Sequence, residues 1–338
     1  TTDADSAAAV EVAAGQEVAG ISIMLRKGSM YRVQGKVVGV ASQDLASIRL
    51  MLVRRGAAAG PLLGGNAGAV LRTDGSFEFA RVWPGAYFVT AERMGQNTAR
   101  LTGKTPVEVA SGDVRDVVVT LAEPLTLSGV VRIEGAQTAD TQRLMVSLNP
   151  LEETAGLPGF LGGSLTARLA GASSFKILEV PPDSYYLNFM NLPEGAYVKS
   201  IRLNNQEVLD KGLDLTGVRG AAMIDITLSL KAASLEGTVT DGEQPAGGSV
   251  VVILPDPLRP SQPYLNLFLT ADQEGGFRAA GLPPGAYKLY AFPDSEAESA
   301  QDLDYVRSFE SRAVSVTLEE EGKGRVDLKL LKPEDARR

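Results

Sequence analysis

Apolar and polar residues alternate along most of this chain, and the alternation recurs in blocks. Three opening stretches, YRVQGKVVG (31–39), LTLSGVVRI (125–133) and ASLEGTVTD (233–241), each place a glycine on the apolar parity: Gly35, Gly129 and Gly237. Period-two alternation predicts half-buried strands, and a glycine inside such a strand predicts a close backbone approach. A second block follows each opener: DGSFEFARVWPGAYFVTAE, ASSFKILEVPPDSYYLNFM and GGFRAAGLPPGAYKLYAF. In each, phenylalanine precedes tyrosine by ten positions (Phe77/Tyr87, Phe175/Tyr185, Phe277/Tyr287) around a proline turn at Pro84-Gly85, Pro182-Asp183 or Pro284-Gly285. Proline presets φ for the first corner of a turn and glycine tolerates positive φ at the second, so the block predicts a hairpin. The middle copy carries Asp183-Ser184 where the others carry Gly-Ala, which predicts a different turn type on the same fold. A third block closes each unit, at 107–121, 201–230 and 314–331, with Val117, Val119 and Leu121, then Ile224, Ile226, Leu228 and Leu230, then Val326, Leu328 and Leu330 in alternation.

Three units of about 95 to 108 residues, each with roughly seven short strands, predict an all-β chain of three tandem β-sandwiches. The expected boundaries are 29–123, 124–231 and 232–334, with residues 1–28 standing apart as an orphan strand segment. Linkers near Gly28, Glu123–Pro124 and Lys231–Ala232 are short, so the units are expected to stack end to end. Between 295 and 313, Leu303, Val306 and Phe309 fall at helical spacing behind an acidic start, which predicts one short surface helix in the third unit.

Residues 10–25, VEVAAGQEVAGISIML, align with the closing block VEVASGDVRDVVVTL with one extra residue, Gly15 matching Gly112 and Leu25 matching Leu121. The chain therefore holds four closers for three openers and three hairpins. Three readings stay open: the remnant of an upstream unit in a longer chain, a segment folding back on its own chain, or a strand donated to a neighbouring molecule. In the last, Val10, Val12, Val18, Ile21, Ile23 and Leu25 form the contact row. The loops before the three hairpins are unusually apolar, at Leu62 and Leu63, Phe160 and Leu161, and Tyr264 and Phe268. Exposed apolar loops read as contact surfaces, the alternative being packing over a sandwich edge or against the next unit.

Composition narrows the chemistry. The 338 residues carry a net charge of −8 and contain neither cysteine nor histidine. Without imidazole, Ser-His-Asp and Cys-His catalysis and the common zinc sites are excluded. No basic block invites nucleic acid, and no apolar run approaches the ~18 residues that cross a bilayer. The acidic stretches 2–6 and 293–304 lack the glycine-punctuated spacing of a calcium loop and read as solvated faces. Trp83, the sole tryptophan, stands where the other copies have Pro181 and Pro283, either partly buried beside the hairpin or placed to stack on a sugar. No catalytic residue, metal or cofactor is expected.

Opener, DGSFEF…PGAYFV hairpin and closer together resemble the carboxypeptidase regulatory-like family and its collagen-adhesin B-type relatives. The resemblance covers nearly the whole chain and is strongest in the first and third units. It implies that the three sandwiches are immunoglobulin-like or transthyretin-like, and it implies no peptidase, whose zinc site requires histidine. Collagen-adhesin relatives form Lys–Asn or Lys–Asp isopeptide bonds, but Lys36 has Val130 and Thr238 as counterparts, so no such triad recurs. Tandem arrays of this kind resemble exported bacterial proteins, which implies an extracellular or cell-surface location with any signal peptide already removed. The expected function is a non-enzymatic structural protein that self-assembles through strand addition into a surface filament or sheath. The alternatives are an adhesin or an array binding a glycan or surface protein, or accessory domains of a larger exported protein.

Overall fold

The structure is a computed structural model and describes residues 28–55, 69–93, 100–134, 141, 143–152, 165–169 and 173–332. The first unit contains β1 (Tyr31–Val38), β2 (Ile48–Arg54), β3 (Val70–Leu71), β4 (Ser76–Val82), β5 (Gly85–Arg93), β6 (Thr102–Val109) and β7 (Val114–Thr120). The second contains β8 (Leu125–Glu134), β9 (Met145–Pro150), β10 (Thr166–Arg168), β11 (Ser174–Val180), β12 (Ser184–Met190), β13 (Tyr197–Leu203), β14 (Gln206–Glu207), β15 (Leu213–Asp214) and β16 (Ala221–Ser229). The third contains β17 (Ala233–Asp241), β18 (Gln244–Pro245), β19 (Val250–Pro255), β20 (Leu267–Thr270), β21 (Gly276–Leu282), β22 (Gly285–Phe292), α1 (Leu303–Arg307), β23 (Val314–Leu318) and β24 (Lys323–Lys329).

The strands form six sheets that face each other in pairs. They run β3-β4-β1-β7 over β2-β5-β6, then β11-β8-β16-β13-β14 over β10-β9-β12-β15, then β18, β17, β21 and β24 over β20-β19-β22-β23. Each pair encloses its own apolar core, drawn from the inward parity of both sheets. The fold is thus all-β, in three tandem sandwiches.

The opening strand is the centre of each first sheet. It pairs antiparallel with the hairpin strand on one side and parallel with the closing strand on the other. Gly35 stands opposite Phe77 and Val117, Gly129 opposite Phe175 and Ile224, and Gly237 opposite Phe277 and Val326. A Cβ at Gly35 or Gly237 would overlap the carbonyl oxygen of Val117 or Val326, and one at Gly129 would overlap the Phe175 ring. The close approach expected from the glycine parity is what these positions show.

The hairpin tyrosines act alike. The hydroxyls of Tyr87, Tyr185 and Tyr287 donate to the carbonyls of Trp83, Pro181 and Pro283, four residues back, at 3.0, 2.9 and 2.7 Å. Burial pushes all three phenols up, Tyr287 to about 12, so each remains a donor. Just before each turn the ladder slips by a bulge, with Arg81 (φ 59°), Glu179 (φ 55°) and Gly281 (φ 77°) in the left-handed region.

The helical spacing over 295–313 is realised as the five-residue α1 among three 3-10 turns, Asp294–Glu296, Ser299–Gln301 and Glu310–Arg312. The Asp302 carboxylate accepts from the Asp304 amide at 2.8 Å and starts α1 afresh, so no single helix runs through the segment. The segment is also more than a surface feature. Val306 and Phe309 are fully buried over the outer face of β19 and β22, against Val252, Leu254, Tyr290 and Phe292.

Replacing Gly237 by alanine is expected to cost about 3 kcal/mol, because a strand backbone cannot move aside for the new methyl. Equilibrium urea denaturation of Gly237→Ala beside the parent protein measures it.

Candidate interaction surfaces

The junctions between units are built from specific side chains. Phe88 lies on the outer face of β5, opposite in parity to the core residues Tyr87 and Val89, yet it is only 2% exposed. Two cations flank its ring, Lys104 Nζ at 4.6 Å and Arg55 Cζ at 5.1 Å from the centroid. Each cation meets a carboxylate of the second unit: Lys104 pairs with Asp183 at 2.5 Å and Arg55 with Glu152 at 2.9 Å. The Lys104–Asp183 pair is nearly buried, at 13% and 9% side-chain exposure. Asp183 is the residue that replaces glycine in the middle hairpin turn, so that departure supplies the junction with its charge. The second unit therefore bears on a sheet face of the first, which corrects the simple end-to-end stacking expected from the linker lengths.

The second junction combines an aromatic contact with hydrogen bonds from uncharged donors. Tyr264 sets its ring edge-on to Phe189, with centroids 6.2 Å apart and planes at 80°. Beside it Gln262 Nε2 donates to Asp210 Oδ1 at 2.7 Å, and Ser261 Oγ donates to the Leu209 carbonyl at 3.0 Å. A groove of about 380 Å³ runs along the contact, lined by Phe189, Leu192, Tyr264, Leu282 and Pro283 among others. On its rim Glu320 accepts from the Tyr197 hydroxyl at 3.1 Å and from Lys231 at 3.4 Å, and Lys199 lies 3.9 Å away. The Tyr197 hydroxyl, then Lys231, holds the Glu320 carboxyl below its ordinary range.

Of the residues expected at contact surfaces, Tyr264 is thus occupied within the chain, where burial pushes its phenol up. Phe268, on β20, is 40% exposed. Val10, Val12, Val18, Ile21, Ile23, Leu25, Leu62, Leu63, Phe160 and Leu161 lie outside the described residues. Trp83 is 44% exposed at its turn, with Gly28 packed so tightly on its ring that a Cβ would overlap it. Among the described residues there is no group of three or more Asp and Glu placed to hold a metal, and no helix is long and apolar enough to cross a membrane.

One feature of the second sheets escaped the sequence pattern. In the first unit β6 pairs with β5 from Gly85 to Glu92, its Thr102, Gly103 and Lys104 lying opposite Glu92, Ala91 and Thr90. In the third unit β23 pairs with β22 only from Gly285 to Leu289. Beyond Leu289 a slot of about 400 Å³ lies between β22 and β24, walled by Tyr290, Ala291, Val314 and Leu328 and flanked by Arg312, Asp327 and Lys329. Leu331 reaches its inner end, its amide donating to the Ala291 carbonyl at 2.7 Å.

No family model matches the sequence, and no curated protein matches it. Similar solved structures include a streptococcal ancillary pilin, at 10% identity over 90% of this chain and 100% of that one, with a TM-score of 0.26. The minor pilin GBS52 of Streptococcus agalactiae aligns at 15% identity over 62% and 97%, with a TM-score of 0.27. The Bacillus anthracis TIE protein aligns at 10% identity and a TM-score of 0.25, over 90% of this chain, which spans 51% of that protein. Scores this low carry no functional argument.

Two outcomes follow from the junctions. Lys104→Ala leaves Asp183 buried without its cation and is expected to cost about 3–5 kcal/mol, while Lys104→Met with Asp183→Leu recovers most of that loss. A double-mutant cycle by denaturation reads it. Glu320, with its folded pKa depressed, stabilises fully above its unfolded value of about 4.3 and loses that contribution as pH falls through the lower folded value. Glu320→Gln should therefore flatten the acid limb of a stability-versus-pH curve recorded by circular dichroism.

Proposed function

We propose that this chain is a non-enzymatic structural subunit of an extracellular or cell-surface filament or sheath. Its three sandwiches, of carboxypeptidase regulatory-like type and spanning 29–123, 124–231 and 232–334, act as one stiff body. Residues Val10–Leu25 link copies by adding as a strand to a neighbour. The observation that carries this reading is the construction of the junctions. Buried charge at Lys104–Asp183 and hydrogen-bonded side chains at Gln262–Asp210 hold the units against each other, where freely hinged modules would need only solvated linkers. Stiffness is what a subunit under tension needs.

A second reading, a surface adhesin, is favoured by Trp83. A half-exposed aromatic on a turn suits stacking on a sugar ring. Glycan-array binding that disappears in Trp83→Ala would favour it.

Electron microscopy of the full chain beside a chain lacking residues 1–28 tests assembly. Filaments are expected only from the full chain. Monomers from both at high concentration would overturn the proposal.

A further inference from the structure

Resting on that reading, we infer that the slot beside β22 in the third unit is the acceptor, and that its occupant is the Val18–Leu25 stretch of a second copy of this chain.

The place is defined by internal comparison. Where the first unit lays Thr102, Gly103 and Lys104 along the far half of β5, the third unit sends its chain away through the 3-10 turns and α1 to cover the outer sheet face. Among the described residues, Tyr290, Ala291 and Phe292 then have no ladder partner on the β23 side, apart from the single bond from Leu331 to the Ala291 carbonyl. In the second unit, β15 pairs with β12 only at Ser184 and Tyr185, and farther along that strand Phe189 is met by Tyr264 of the third unit. So the first unit supplies its own strand there, the second meets its neighbour through one aromatic contact, and the third keeps a slot.

The occupant follows from pattern, charge and reach. Every opening strand already has partners on both sides, so a fourth closer has no seat beside β1, β8 or β17. Ile21, Ile23 and Leu25 share one face of an extended strand and suit walls made by Tyr290, Val314 and Leu328. Residues 1–25 carry Asp3, Asp5, Glu11 and Glu17 and no cation, while the slot sets two cations, Arg312 and Lys329, against one carboxylate, Asp327, which already accepts from the Thr238 hydroxyl at 2.8 Å. Only Arg26 and Lys27 separate Leu25 from Gly28, which is packed on Trp83 in the first unit. That connection spans about 10 Å at full extension, which ties the segment to the first unit and away from its own third unit. Donor and slot lie on different units, so the contact is head-to-tail and does not close on itself.

Complementation tests this. Ile21→Asp with Ile23→Asp disables the donor, and Val314→Arg fills the slot. Each variant alone should stay monomeric, and an equal mixture should give dimers and nothing longer by analytical ultracentrifugation, while the unaltered chain forms long species. Arg312→Glu, an exposed change, should weaken association about tenfold with an unchanged melting temperature, which separates the effect from misfolding. A mixture that stays monomeric, or a Val314→Arg chain that still polymerises, would overturn the slot while leaving strand donation standing. If the unaltered chain never associates, the assembly reading itself fails.

Discussion

Everything in this molecule depends on a strand that is crowded from three sides. The opening strand of each sandwich takes a hairpin strand on one edge, a closing strand on the other, and a phenylalanine ring over its face. Only glycine leaves room where these meet. Once Gly35, Gly129 and Gly237 are seated, the directions of the neighbouring strands follow, and with them the end at which the chain enters and the end at which it leaves. The tyrosine hydroxyl that reaches back to the turn carbonyl then fixes the hairpin against this centre.

On that common frame the units differ where they meet. Asp183 gives up the turn glycine of its counterparts and gains a buried partner in Lys104. The loop carrying Ser261, Gln262 and Tyr264 lies against the second unit instead of facing solvent. Buried ion pairs add little net stability over apolar packing, but an unmatched partner is costly, so such contacts select one arrangement of the units over others.

Much of this was legible in the sequence because sandwiches bury every second residue. Val33, Gly35 and Val37, or Leu235, Gly237 and Val239, declare their strand and its inward face without further help. The Phe-to-Tyr spacing located the hairpins for the same reason. The apolar loop at Tyr264 was legible as a contact surface, with packing against another unit among its readings, but its partner Phe189 was not, since the two meet through the fold and no local pattern records the pairing. Nor were the left-handed Arg81 and Glu179, because only the third copy marks that bulge with a glycine, Gly281. The helix over 295–313 was read from three apolar residues, but a capping aspartate and short turns satisfy the same spacing. The short β23 could not be read at all, because Val314 to Leu318 alternates as a longer strand would.

The parallel pairing of first and last strands has a mechanical meaning. Because β1 lies beside β7, β8 beside β16 and β17 beside β24, a pull on the two ends of a unit acts along the strands and in opposite directions. The bonds between them are loaded in shear and must yield together, whereas a hairpin pulled from its open end parts one bond at a time. Resistance to such a pull is set by the rate of unfolding and not by equilibrium stability. A chain of these units is therefore suited to tension in the way a lap joint is.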